Sequence, residues 1–147
     1  MRSAIRYETQ ADVRNEKEFA KTIETRFNCQ YHKFPIDWQI DGILSRNKEG
    51  VAFAELKCRN HARHDYSTVF LSKHKALTGV RFSEHFGHAI TGRKLPFIFF
   101  VRFVDKDMFL EVKSEHIKDA KLLDAKNHAG EDLEYVIELP LIDFKEF

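Results

Sequence analysis

The sequence has 147 residues, of which 43% are hydrophobic and 14 are Phe, and its formal net charge at pH 7 is +1. This composition predicts one domain with a hydrophobic core and excludes intrinsic disorder, which requires low hydrophobicity and high net charge. It also excludes a strongly basic protein, so any surface that binds nucleic acid must be local.

The cysteine content and the hydropathy pattern indicate the compartment. Two cysteines, Cys29 and Cys58, are too few for a disulfide scaffold and favour a reducing environment. Residues 1–17 carry too many charges for a signal peptide. The longest apolar run, at 95–104, is interrupted by Arg102 and is too short for a membrane-spanning helix. We therefore expect a soluble cytoplasmic protein without a membrane partner.

The first predicted element is a helix at 12–27, where Glu16, Ala20, Ile23 and Phe27 recur at helical spacing. Asn28 could end this helix. A short strand is predicted next, at 30–35.

A β-hairpin is predicted at 39–60, with strands at 39–45 and 51–58 and turn chemistry at 47–50. In the second strand, alternation places Glu55 and Lys57 on one face and small residues on the other, which suits a packed helix.

The remaining elements continue the alternation of helices and strands. They are a polar loop at 61–68, a helix at 72–86, a buried strand at 96–104, a strand at 109–113 that pairs with it, a weakly helical segment at 116–124 and a short strand at 135–139. No secondary structure is predicted for 142–147. This order predicts a mixed α/β domain.

Two acidic residues and a lysine lie on the predicted hairpin. Opposed residues in an antiparallel pair have a constant sum of residue numbers, and a turn centred near Lys48 makes that sum about 96. Asp41 would then lie opposite Glu55, whereas a shift by one residue would turn it to the other face. The residues that flank Glu55 and Lys57 on this strand are typical of a hydrophobic core. Burial of charged side chains there is costly, which favours a functional role for them.

Converging carboxylates are hard oxygen ligands that suit Mg²⁺ or Mn²⁺. Such a metal would polarise a phosphodiester and activate water, and Lys57 could orient that water or offset charge on the phosphate. The alternative for any isolated Glu-x-Lys is an ordinary solvated pair.

Two segments, Ile40-Asp41-Gly42-Ile43-Leu44 and Ala54-Glu55-Leu56-Lys57, resemble motifs II and III of the PD-(D/E)XK nuclease superfamily. This superfamily includes restriction endonucleases, archaeal Holliday-junction resolvases and VRR-NUC-type domains. The separation of fourteen residues between Asp41 and Glu55 is usual for it. The proline that often precedes the aspartate is Ile40 here. The resemblance covers roughly 12–104.

The resemblance implies a restriction-endonuclease-like fold over residues 1–147, with a central mixed β-sheet flanked by helices. It implies a metal-dependent nuclease, with DNA as the expected substrate and RNA left open. It also leaves a homodimer open, since resolvase-like relatives pair. The small size suggests a phage or mobile-element protein.

The same resemblance implies the metal ligands. Asp41, Glu55 and the Leu56 carbonyl would hold the ion, and Glu16 of the first helix would reach it directly or through water. The alternatives to Glu16 on that helix are Glu18 and Glu24.

A nucleic-acid-binding face is predicted around this site. Its candidate residues are Lys75, Arg59, Ser72, Lys73 and Arg63, with Arg93 and Lys94 as further members. Lys75 is preferred because it lies in the first turn of the second helix, where the dipole favours an anion. The alternative is an ordinary solvated surface.

Other interpretations compete with the nuclease. Cys58, His61 and His64, with His85 and His88 as further ligands, suggest a zinc site, although the spacing matches no template. Cys58 is a weaker candidate nucleophile, because it lies on the core-facing side of its strand.

The run Phe97-Ile98-Phe99-Phe100 could stack bases, although a buried strand suits it better. A non-catalytic nucleic-acid-binding protein that keeps the nuclease fold is the alternative function.

Overall fold

A computed structural model describes residues 9–86, 92–118, 122–126 and 133–147. Its helices are α1 (Gln10–Phe27), α2 (Lys73–Arg81) and α3 (Ser114–Lys118). Its strands are β1 (Gln30–Lys33), β2 (Gly42–Arg46), β3 (Glu49–Cys58), β4 (Thr68–Ser72), β5 (Phe97–Arg102), β6 (Asp107–Glu111), β7 (Leu122–Lys126), β8 (Leu133–Pro140) and β9 (Lys145–Glu146). Short 3₁₀ turns lie at Arg63–Asp65 and Leu141–Asp143, and a π-helical turn at Phe82–Phe86 follows α2.

The strands form two sheets. The larger has the order β1-β2-β3-β5-β6-β9, in which β3 and β5 are parallel and the other neighbours are antiparallel. The smaller, β4-β8-β7, is antiparallel. The chain between β3 and β5 crosses over through β4 and α2, as a parallel pair requires. The predicted class, a central mixed sheet flanked by helices, is confirmed.

Helix α1 covers one face of the larger sheet. Thr9 caps its start by accepting a hydrogen bond from the Asp12 N–H (3.0 Å), and Asn28 ends it in the left-handed conformation (φ 52°). Its fully buried Phe19 and Ile23 pack on the small residues of β3, among them Ala54. Each such side chain contributes about 1.5–3 kcal/mol by burial, so the predicted helix-on-sheet packing is confirmed.

The opposite face of the sheet carries the larger core cluster. Phe53 of β3 and Phe97 and Phe99 of β5 pack there against α2 and the smaller sheet. This packing positions the first turn of α2 over β3, close to Glu55.

We expect Gly79→Ala in α2 to lower the free energy of unfolding by about 1–3 kcal/mol through overpacking. A Cβ there would lie 2.2 Å from Cε2 of Phe97, a ring that is fully buried. The gain in helix propensity of about 1 kcal/mol does not offset such a clash. Urea denaturation measures the change, and the exposed His74→Ala is the control. A Gly79→Ala protein as stable as the wild type would contradict this account of the packing.

Three sequence predictions need correction. The polar loop predicted at 61–68 ends one residue earlier, because strand β4, which the sequence did not predict, begins at Thr68. Its partner β8 is about seventy residues away in sequence, so no local pattern reports the pairing. The helix predicted at 116–124 is wrong in its second half, because α3 ends at Lys118 and β7 begins at Leu122. The α-helix predicted at 72–86 ends at Arg81.

Within the described ranges, no helix is both long enough and apolar enough to cross a bilayer.

Candidate active site

The hairpin of β2 and β3 determines where the acidic residues meet. Its turn has two residues, Asn47 (φ 52°) and Lys48 (φ 66°), rather than the four predicted at 47–50. The register shifts between Leu44 and Ser45. On the side of this shift away from the turn, the numbers of paired residues sum to 96, as in Gly42 with Ala54. The predicted register is therefore confirmed, although a tight turn and a bulge produce it together.

Asp41 lies immediately before β2 and is held by hydrogen bonds to β3 and to Phe34. Its Oδ2 accepts the Leu56 N–H (2.8 Å), its N–H donates to Glu55 Oε1 (3.1 Å), and its carbonyl accepts the Phe34 N–H (2.7 Å). The next residue is Gly42, where a Cβ would lie 2.3 Å from the His32 carbonyl oxygen. Only glycine lets β1 approach this closely, and the approach positions Asp41.

The backbone of Leu56 faces Asp41. The N–H and C=O of one strand residue point to the same side of the strand. Because the Leu56 N–H donates to the Asp41 carboxylate, its carbonyl is directed towards the same side. Two carboxylates and one carbonyl thus share the edge of β3 beyond the start of β2.

Glu55 is a buried charge, with 3% of its surface exposed. Its strand neighbour Phe53 and its register partner Phe99 belong to the apolar core on that face. Its Oε2 forms an ion pair with the Lys75 ammonium, whose side chain is 24% exposed. Lys75 therefore contacts the acidic centre, and its predicted contact with nucleic acid stays a prediction.

Ser72 sets the start of α2 and so the position of Lys75. Its hydroxyl accepts the Lys75 N–H (3.5 Å) and so caps the start of α2. Ser72 is only 9% exposed. The hydroxyl predicted to contact nucleic acid is therefore buried and occupied by the cap.

Lys57 follows Glu55 on the same face of β3. Its ammonium donates to the carbonyl of Phe70 in β4 (3.1 Å). The smaller sheet, whose strand β4 was not predicted from the sequence, therefore supplies an acceptor that orients this lysine.

Glu16 of α1 reaches the edge of the same region. It accepts hydrogen bonds from the Tyr31 hydroxyl (3.0 Å) and from the Lys33 ammonium (2.9 Å). Of the alternatives, Glu24 accepts the backbone N–H of Tyr31 (2.9 Å) and Glu18 is exposed. Among the described residues, no three His, Cys, Asp or Glu side chains gather in a way that could hold a metal. Glu16 thus lies beside the Asp41–Glu55 pair without joining it.

Tyr31 is a functional candidate that was not predicted from the sequence. Burial raises the pKa of its phenol, and the negative charges of Asp41 and Glu16 raise it further. The phenol therefore stays protonated and donates to Glu16. The sequence signal that could have identified Tyr31 is its place on β1, the predicted strand next to the one that follows Asp41.

The sequence matches a family model described as "Phage putative PDDEXK endonuclease" over residues 2–147. The chain belongs to this family. Among solved structures, it is similar to Hjc from Archaeoglobus fulgidus, a Holliday junction resolvase from an archaeal hyperthermophile, with a TM-score of 0.52 and 12% sequence identity. That match covers 86% of this chain and 82% of the resolvase. It shows the resolvase nuclease fold. No curated protein matches the sequence.

The basic residues of this PDDEXK chain do not all surround the site. Arg93 pairs with Glu49 (3.7 Å) beside the hairpin turn, and Glu49 is separated from Glu55 by about 20 Å of strand. Arg93 therefore lies well away from Glu55 along the hairpin, and its contribution to the basic face stays a prediction. Arg63 follows the loop after β3, and Lys73, half-buried, opens α2.

Arg59 lies directly after β3, and its backbone N–H donates to the Arg102 carbonyl (2.7 Å). Burial lowers the pKa of its guanidinium. Within the part of the chain that the structure describes, this side chain has no carboxylate partner. A partly desolvated cation without a counter-ion favours an anionic ligand.

The competing interpretations gain no support. The His61 ring packs against Tyr66 and Phe103, and His64 and His85 are exposed; His88 lies outside the described residues.

Burial raises the pKa of the Cys58 thiol to about 11, so it is a poor nucleophile at neutral pH. The stacking platform is also wrong, because Phe97, Phe99 and Phe100 are at most 1% exposed and form the buried strand β5.

Proposed function

We propose that this chain is a metal-dependent endonuclease that hydrolyses phosphodiester bonds in DNA. The observation that carries the proposal is the pair of hydrogen bonds that join Asp41 to β3. The Asp41 N–H donates to the Glu55 carboxylate, and the Asp41 carboxylate accepts the Leu56 N–H, with Lys57 on the same strand face as Glu55. Family membership supports nuclease chemistry, and the similar archaeal protein is, by its name, a resolvase of Holliday junctions.

The donor set fits Mg²⁺ or Mn²⁺. Mg²⁺ keeps several waters and is usually bound by one or two carboxylates together with substrate phosphates. Asp41, Glu55 and the Leu56 carbonyl provide such a sparse set of hard oxygens. The ammonium of Lys75 on Glu55 supports a preference for a cation at this position. Glu16 would act through water, since it lies beside the pair.

The bound metal would polarise the phosphodiester and lower the pKa of a water. Lys57, held by the Phe70 carbonyl, would orient the attacking water or offset charge developing on the phosphate. Tyr31 would keep the Glu16 carboxylate in place by its hydrogen bond. The aspartate and glutamate would hold the reacting groups in one geometry, which lowers the entropic cost of the reaction.

The deciding experiment is cleavage of a substrate panel with Mg²⁺ or Mn²⁺: duplex, single strand, flap, four-way junction and RNA. We expect cleavage of at least one DNA substrate by the wild type. The alternative, a binding protein without catalysis, predicts metal and nucleic-acid binding with every substrate left intact. Cleavage of RNA alone would contradict the assignment of DNA.

We expect Arg59→Ala to weaken nucleic-acid binding similarly across sequences. The slope of the logarithm of the binding constant against the logarithm of the salt concentration should become smaller in magnitude by about one. The reason is that a half-buried guanidinium without a carboxylate partner can neutralise a phosphate. Binding titrations at several salt concentrations, with Ca²⁺ to limit cleavage, measure the slope. The exposed Lys17→Ala on α1 is the charge-matched control. Equal slopes for Arg59→Ala and the wild type would place the phosphate path elsewhere.

A further inference from the structure

Both oxygens of the Glu55 carboxylate are occupied by donors of this chain. Oε1 accepts the Asp41 N–H (3.1 Å), and Oε2 is paired with the Lys75 ammonium. The carboxylate is almost fully buried. A buried charge of this kind requires compensation, and Lys75 supplies it in the absence of a metal.

We propose that the Lys75 ammonium and a divalent metal ion are mutually exclusive partners of Glu55. Metal entry would then release the ammonium, and loss of the metal would allow the ammonium to return. The inference rests on the proposed function, because it takes Asp41 and Glu55 as the metal-binding residues.

The geometry around Lys75 supports an exchange. A metal bound to Glu55 would lie close to Oε2, where the ammonium also lies, and two adjacent cations repel each other strongly in a poorly solvated site. Lys75 has a long, flexible side chain that remains 24% exposed, so it can move to solvent. The N-cap on Ser72 holds the backbone of α2 in place, so the exchange needs only a side-chain movement.

Two consequences follow. The protein is stabilised without metal, because Glu55 is never left buried and unpaired. The apparent metal affinity is reduced, because metal binds only to the fraction of molecules in which Lys75 is released. Metal binding and Lys75 exposure are thus reciprocally linked.

Pulse acetylation of the wild-type protein, read by mass spectrometry, tests the release directly. With saturating Mn²⁺ we expect Lys75 to react at least about fivefold faster than without metal, the lower end of a typical coupling. Lys73, which opens the same helix without contacting Glu55, should react equally in both conditions. Asp41→Asn should remove the acceleration at Lys75. An unchanged Lys75 rate, with Mn²⁺ shown by calorimetry to be bound, would overturn the inference.

Lys75→Met supplies an independent measurement. Calorimetry should show Mn²⁺ binding at least about fivefold more tightly than in the wild type, with Lys73→Met within about twofold of the wild type. Equal or weaker binding by folded Lys75→Met contradicts the exchange. If this variant does not fold, the labelling of the wild type still decides.

The two proposals fail differently. If Mn²⁺ binding is absent, or is unaffected by Asp41→Asn, the metal site itself is wrong and both proposals fall. If Asp41→Asn abolishes Mn²⁺ binding while Lys75 labelling is insensitive to metal, only the exchange is wrong.

Discussion

Replacing Asp41 with Asn is expected to lower the rate of nucleic-acid cleavage by at least about 10³-fold, or about 4 kcal/mol of transition-state stabilisation. The change removes a negative charge from the proposed metal site. It keeps a side-chain oxygen that can accept the Leu56 N–H and leaves the backbone N–H that donates to Glu55. The variant therefore separates electrostatics from local structure.

Three measurements check this expectation. Single-turnover cleavage gives the rate, calorimetry gives Mn²⁺ affinity, and urea denaturation gives stability. We expect loss of the first two with a stability near that of the wild type. Asp37→Asn, in the loop four residues earlier, is the charge-matched control and should cleave normally. Cleavage by Asp41→Asn at more than about a tenth of the wild-type rate would exclude Asp41 from the mechanism.

Lys57→Met is expected to reduce cleavage by about 10²–10³-fold while Mn²⁺ affinity stays within a few-fold of the wild type. The ammonium is proposed to act on water or phosphate rather than on the ion. Loss of its hydrogen bond to the Phe70 carbonyl costs only about 1 kcal/mol, so the fold should persist.

The comparison between metal binding and catalysis decides the role of Lys57. Lys17→Met, at an exposed position on α1, is the control for a general change of charge. If Lys57→Met loses Mn²⁺ binding as fully as catalysis, Lys57 supports the structure of the site instead. Wild-type rates in Lys57→Met would remove it from the mechanism altogether.

The part of the site that lies on one hairpin could be predicted from the sequence. Asp41 and Glu55 belong to one hairpin, and strand alternation together with a short turn limits the register to two choices. The sequence alone does not choose between them, and the structure shows the register in which the paired residue numbers sum to 96. Helix α1 and strand β5 were predictable for the same reason, since their periodicity is local.

The contacts that other segments of the chain make with this hairpin could not be predicted from the sequence. Lys75 was assigned to nucleic acid because a helix N-terminus favours anions, and the sequence carries no sign that its ammonium reaches Glu55. The Phe70 carbonyl that holds Lys57 belongs to β4, whose partner strand lies near the end of the chain. Tyr31 was missed because its partner, Glu16, depends on how α1 crosses β1. Each contact depends on packing between distant segments.

The parallel pairing of β3 with β5 bears on the order in which the chain acquires structure. The hairpin that joins Asp41 to Glu55 is a short-range unit, and hairpins form in about 1–10 μs. The crossover that carries Lys75 closes a much longer loop, and non-local pairing of this kind slows folding. We therefore expect the hairpin that joins Asp41 to Glu55 to form before the Lys75 ammonium reaches Glu55. In a refolding experiment, we expect the ion pair between Glu55 and Lys75 to form later than the hairpin.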